Sequence, residues 1–166
     1  NNRAAVVPMR GKSKSGIVVK GIHDLAVRFS KCCNPVPGDE IVGFVTRGRG
    51  VTIHRTDCIN VLNLPEMERN RLIDAEWQAE EDEKGTATYA TEISIYANNR
   101  IGMYVDIARI FTEREIDVTN MNARTNKQGK ATITMSFDIH GTEELNTLMA
   151  KIRQIDGVLD IERTTG

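Results

Sequence analysis

The 166-residue chain contains no apolar run near the roughly 20 residues needed to span a bilayer, and its first residues lack the apolar core of a secretory signal. No membrane partner is expected, and a cytoplasmic location is the default. Cysteine is scarce and odd in number, three in all, so intramolecular disulfides cannot use every thiol. A reducing compartment is the simpler reading, and it leaves thiol or metal chemistry available. Catalytic signatures are missing too: there is no phosphate loop with its Lys, no paired carboxylates in a cleft context, and no Ser/His/Asp set placed by turn and strand signals. No catalytic residue is expected.

What is present fits a globular protein with one full-sized domain or two small ones, with 40% hydrophobic and 27% charged residues. The chain starts at Asn1 rather than Met, in a basic stretch with Arg3, Arg10, Lys12 and Lys14. Residues 1–16 therefore read as the tail of a preceding region, and the chain as a piece of a longer protein. Residues 1–31 carry seven Lys/Arg against Asp24, whereas residues 66–84 carry eight Asp/Glu against Arg69, Arg71 and Lys84. A polyanion is drawn to the first segment and repelled by the second, unless both are only solvated surface.

Residues 17–64 read as a small β-rich module. Short β-branched runs at Ile17 to Val19, Leu25 to Phe29, Ile41 to Thr46 and Val51 to His54 are separated by Gly, Pro, Asn or Asp. Asn34-Pro35-Val36-Pro37-Gly38-Asp39 breaks any regular element, and Gly48-Arg49-Gly50 supplies a tight hairpin. Thr56-Asp57 is positioned to cap a short helix from Cys58 to Leu64, stopped by Pro65. At this size a core alone is marginal, and a metal or a neighbouring domain helps. Residues 65–85 read as an acidic connector with a possible strand at 72–77, in which the isolated Trp77 is expected to anchor one domain to the other.

Residues 86–166 give the clearest pattern. Ala131, Ile133, Met135, Phe137 and Ile139 alternate without a break against polar residues, as do Ile93, Ile95 and Ala97. Asn126-Lys127-Gln128-Gly129 predicts a hairpin from a strand at 116–125. One helix is expected over 102–114 with Val105, Ile107, Ala108, Ile110 and Phe111 on its apolar face. A second starts at a Thr142 cap and presents Leu145, Leu148, Met149 and Ile152, and a last strand runs from Val158 to Glu162. The order βαββαβ is ferredoxin-like, so the fold class is α+β. Thr132, Thr134 and Ser136 fall on the open sheet face, small and uncharged, which suits cover by another domain or subunit.

Three groups of residues could carry function. Cys32, Cys33, His54 and Cys58 form a Cys3His set of the kind zinc binds tetrahedrally. His54 and Cys58, four apart, share one face of a helical turn, but neighbours on an extended strand diverge, so Cys32 and Cys33 converge only across a kink that Asn34-Pro35 could supply. The alternative is reduced structural cysteines; Cys32 as a nucleophile with His54 as base has no oxyanion site to support it. Arg47, Arg49 and Arg55, with Lys31 and Arg28, make either a basic edge for RNA phosphates or a solvated hairpin tip. Asn99, Arg100, Ile101 and Gly102 join strand to helix, where backbone N–H groups could receive a carboxylate, unless this is simply a helix start.

The run from Ser30 to Cys58, with Cys32-Cys33-Asn34-Pro35-Val36-Pro37-Gly38-Asp39 and Gly48-Arg49-Gly50-Val51-Thr52-Ile53-His54-Arg55-Thr56-Asp57-Cys58, closely resembles the conserved-cysteine (zinc-finger-like) module of RelA/SpoT proteins. The βαββαβ segment with Asn99-Arg100-Ile101-Gly102 resembles the ACT domain that ends them. The resemblance implies a parent (p)ppGpp synthetase/hydrolase, a GTP pyrophosphokinase of the stringent response that moves pyrophosphate from ATP to GTP or GDP with N-terminal catalytic domains absent here. This segment would then be its regulatory part. It would bind the ribosome, ribosomal RNA and uncharged tRNA, restrain the parent's own catalytic domains, and in the ACT domain take a branched-chain amino acid or form a homodimer. Zinc in the Cys/His module is the one cofactor implied.

Overall fold

The computed structural model describes residues 17–19, 26–48, 50–78 and 87–163. Arg49, His23, the basic tail before Ile17 and residues 79–86 of the connector lie outside these. The chain divides near residue 85 into two compact units, and no helix among the described residues is long and apolar enough to cross a membrane.

The first unit is a five-stranded sheet ordered β1-β5-β3-β4-β2, with β1 at Ile17–Val19, β2 at Ala26–Phe29, β3 at Ile41–Val45, β4 at Gly50–Arg55 and β5 at Leu72–Trp77. All pairings are antiparallel except β2 with β4. A short helix α1, Ile59–Leu62, and a 3-10 turn, Glu66–Arg71, lead into β5. Side chains of β4 alternate, and successive residues on a strand point to opposite faces. Val51 and Ile53 enter an apolar cluster with Ile17, Phe29, Ile73 and Trp77. His54 lies opposite Val42 in the β3–β4 register, and Val42 packs on a separate cluster of Cys33, Cys58 and Val61.

The expected strand at 72–77 forms, but as an inner member of this sheet between β1 and β3. Trp77 packs within its own unit. Its ring stacks on Phe29 at 5.7 Å, and its indole N–H donates to the Asp39 carbonyl at 3.1 Å, so it closes the first unit's own core. Flanking charge hid this, because β5 is half-exposed and its acidic residues, Asp74 and Glu76, are the exposed ones. β3 passes tightly between its neighbours: a Cβ on Gly43 would lie 2.9 Å from Val51 Cγ1.

The second unit is βαββαβ, with β6 Tyr89–Asn98, α2 Met103–Glu113, β7 Val118–Thr125, β8 Lys130–Ile139, α3 Thr142–Arg153 and β9 Val158–Arg163. Its antiparallel sheet is ordered β7-β8-β6-β9. Ile93, Ile95, Ile133, Met135 and Phe137 are buried together with Ile107 and Phe111 of α2 and Leu145, Leu148 and Ile152 of α3, and Phe111 meets Phe137 edge-on at 5.0 Å. Thr132, Thr134 and Ser136 on the opposite face are half-buried.

Two local expectations are corrected here. The buried stripe of α2 is Met103, Ile107 and Phe111 at four-residue spacing; Val105 is 59% exposed and Ala108 is exposed, because they sit roughly 160° and 100° around the helix from the centre of that stripe. Thr142 is the first helical residue of α3, not its cap. The Glu144 carboxylate instead reaches back to accept the His140 backbone N–H at 2.9 Å, satisfying a donor that a capping side chain elsewhere would leave free.

Replacing Trp77 with Ala should destabilise the first unit by about 3 kcal/mol. Hydrogen exchange will show faster exchange in β1, β3 and β5 with the second unit unchanged; equal loss in both units would contradict the assignment of Trp77 to one core.

Candidate metal centre

Three short segments deliver the four candidate ligands. After β2 ends at Phe29, the Ser30 N–H donates to the Ile53 carbonyl at 2.9 Å, which ties the outgoing chain to β4. The chain then turns over Lys31 to Cys33, closed by the Asn34 N–H donating to the Ser30 carbonyl, with Asn34 in the left-handed region at φ 49°. Asn tolerates this conformation better than most residues. This is the kink that adjacent cysteines require, and it lets both thiols face β4. His54 comes from β4 itself, and Cys58 from the turn after it, where its N–H donates to the Arg55 carbonyl at 3.1 Å and α1 begins. The helical-turn expectation for His54 and Cys58 is therefore corrected: a strand and a turn bring them together.

The ligand atoms of Cys32, Cys33, His54 and Cys58 all lie within 4.8 Å of one another. Cys32 Sγ is 3.3 Å from Cys58 Sγ and 3.6 Å from His54 Nδ1, and Cys33 Sγ is 3.9 Å from the same nitrogen. Zinc with Zn–S near 2.3 Å and Zn–N near 2.0 Å sets neighbouring donors about 3.5–3.8 Å apart on a tetrahedron. The separations of 3.3, 3.6 and 3.9 Å lie near this spacing, and the residue types make up a four-donor set.

Burial sets the protonation of the cluster. It pushes the Cys33 thiol up to about 12 and raises Cys58, and it holds His54 below its ordinary value, so the imidazole is a neutral donor. Burial also acts to raise Cys32, but hydrogen bonds from Ser30, Asn60, Cys58 and Cys33 outweigh it and leave that thiol lowered. Ser30 Oγ lies 2.8 Å from Cys32 Sγ. Neither Ser30 nor Asn60 was singled out in the sequence; the only signal was that each lies two residues from a cysteine.

Arg55 is not part of a basic edge. It is 6% exposed, its backbone N–H donates to Cys33 Sγ at 3.3 Å, and its guanidinium donates to the Cys33 carbonyl at 3.2 Å and to both Asp57 carboxylate oxygens at 3.0 and 2.8 Å. It clamps the cysteine turn to the Cys58 turn. Arg47 is exposed at the hairpin, as are Arg28 and Lys31, while Arg49 lies outside the described residues.

The strand–helix loop of the second unit is also pinned. Asn99 N–H donates to the Gly129 carbonyl at 2.8 Å, and the Arg100 guanidinium donates to the Asp156 and Ile101 carbonyls and to Asp106 Oδ2 at 2.8 Å. Arg100 holds the Asp106 carboxyl below the usual range. Ile101 is 99% exposed, and Gly102 takes φ 86°, which only glycine adopts without strain. A carboxylate arriving at this helix start meets Asp106 already beside Arg100.

Residues 17–78 match the family model described as RelA/SpoT RIS domain, and residues 85–163 match one described as ACT domain. The two matches, side by side in one chain, support a RelA/SpoT C-terminal regulatory region. Among curated relatives, GTP pyrophosphokinase of Escherichia coli K12 is 35% identical over 158 residues, covering 95% of this chain and 21% of that protein. GTP pyrophosphokinase of Streptomyces coelicolor is 32% identical over 168 residues, covering 97% and 19%. The chain thus spans about a fifth of the length of the curated relatives it matches. A solved ACT domain from GTP pyrophosphokinase of Chlorobium tepidum aligns with 46% of the chain and 99% of that domain, at 25% identity and TM-score 0.42. All four donors and β5 fall inside the RelA/SpoT RIS match, and the whole βαββαβ unit from Tyr89 to Arg163 falls inside the ACT match.

Replacing Arg55 with Met leaves the Cys33 carbonyl without its guanidinium donor and should cost about 2 kcal/mol, since the Asp57 end, 62% exposed, contributes little. Urea unfolding of the first unit measures this; an unchanged midpoint would contradict the clamp.

Proposed function

We propose that this chain is the non-catalytic regulatory region of a (p)ppGpp synthetase/hydrolase, with its RIS module closed around one zinc ion and its partners the ribosome, uncharged tRNA and the parent's own catalytic domains. The observation that carries the reading is the pairing, in one chain and in this order, of a RelA/SpoT RIS module and an ACT domain, at 35% identity to a GTP pyrophosphokinase across 95% of the chain.

The donor geometry supports a structural rather than a reactive metal. Three sulfurs and one imidazole nitrogen would fill all four positions of a tetrahedron, whereas catalytic zinc keeps one position for water or substrate. Bound there, zinc would hold the thiols as thiolates and link the Lys31–Cys33 turn, β4 and the start of α1, adding folding free energy to a unit with a small core. The protein's own part is to present the donors: the Asn34 turn aims the two adjacent thiols, and the neutral imidazole offers Nδ1.

Ribosome contact is assigned to the exposed basic side chains of this unit, Arg28, Lys31 and Arg47, which would meet RNA phosphates without reading sequence. Such contact is salt-dependent because each neutralised phosphate releases counterions. Arg55 takes no direct part, being committed to the cysteine turn.

Co-sedimentation with ribosomes carrying uncharged tRNA tests the assignment. Retention should weaken from low to moderate salt, and Arg47→Glu should weaken it further by about tenfold. No retention at low salt, or retention indifferent to both salt and Arg47→Glu, would contradict it. Elemental analysis of chain purified without chelators should find about one zinc per chain, lost in Cys58→Ser.

A further inference from the structure

The four donors differ in access. Cys33 and Cys58 are 1% and 0% exposed, whereas Cys32 is only partly buried, so a small oxidant in solution reaches Cys32 first. A thiol partner is at hand: Cys58 Sγ lies 3.3 Å from Cys32 Sγ, while Cys33 Sγ accepts the Arg55 backbone N–H. Ser30 Oγ accepts the Cys32 N–H at 3.3 Å and lies within hydrogen-bond distance of its sulfur at 2.8 Å, which holds Cys32 beside Cys58.

We infer that Cys32 is a site of oxidation by hydroperoxides, and that Cys58 resolves it to a disulfide that dismantles the donor set. In the first step Cys32 Sγ attacks the distal peroxide oxygen; the O–O bond breaks, giving the sulfenic acid and, from ROOH, the alcohol ROH. In the second, Cys58 Sγ attacks the Cys32 sulfur; the S–S bond forms, the S–O bond breaks, and hydroxide leaves with the Cys58 proton as water. Two thiols and ROOH thus become a disulfide, ROH and H2O.

A disulfide needs the sulfurs to close to about 2.05 Å, a movement that the turn bearing Cys32 can supply, since Lys31 to Cys33 belong to no strand. A bridge between adjacent Cys32 and Cys33 would instead close a strained small ring. The disulfide removes two of four donors, and Cys33 with His54 alone holds a metal weakly. The effect on zinc rests on the metal reading above; the disulfide does not.

The experiment treats the zinc-loaded chain and a chelator-stripped chain with hydrogen peroxide, reading intact mass, peptide maps under non-reducing conditions, and zinc captured by a chromogenic chelator. Both forms should lose two hydrogens and yield a Cys32–Cys58 cross-linked peptide, with zinc released in step with the cross-link in the loaded form. Cys32→Ser should slow thiol loss about tenfold or more, and Cys33→Ser should leave the cross-link in place. Oxygen addition on Cys32 without a cross-link, or a cross-link through Cys33, would overturn the inference. A chain that takes up no zinc would overturn the metal reading, and the stripped form would still decide the disulfide.

Discussion

In β4 the alternation of side chains has to serve both faces of a small sheet at once, and the first unit is organised around that constraint. Val51 and Ile53 enter the apolar cluster, His54 turns to the thiols on the other face, and Arg55 reaches the cysteine turn through its backbone N–H and its guanidinium. The β3–β4 register sets Val42 opposite His54. A one-residue slip would send His54 into the apolar cluster and Ile53 toward the thiols, so strand pairing and ligand geometry are specified together. Because the turn bearing Cys32 and Cys33 is tied to β4 through Ser30 and Ile53, the four donors converge only when the sheet has formed.

The two units reach stability by different routes. The ACT unit packs two amphipathic helices on an alternating sheet and buries a continuous set of large side chains, so it needs no cross-link. Among its described residues the RIS unit has no such layer. Ile17, Val51 and Ile53 are the fully buried members of its apolar cluster, and Phe29, Ile73 and Trp77 are only partly covered. On the metal reading proposed above, a cross-link through four side chains would supply folding free energy that so small a core lacks.

How much could be read in advance follows from how local each feature is. The alternation from Ala131 to Ile139 and the leucine spacing of α3 are properties of a few adjacent residues, and both elements formed where the pattern placed them. The four Cys/His residues were also legible as a set, but their convergence was not, because it depends on the left-handed Asn34 and on the tie between Ser30 and Ile53. Leu72–Trp77 was visible as a strand, yet nothing nearby in sequence named β1 and β3 as its neighbours. Arg55 was misread for the same reason. An arginine beside a basic hairpin looks like surface until the Cys33 carbonyl is placed against it.

X-ray absorption at the zinc edge of the purified chain tests directly whether the cysteine cluster closes around a metal. The predicted spectrum has three sulfur scatterers at about 2.3 Å and one nitrogen at about 2.0 Å, with no open position. A first shell dominated by oxygen or nitrogen, or a chain that carries no zinc under reducing conditions, would contradict it.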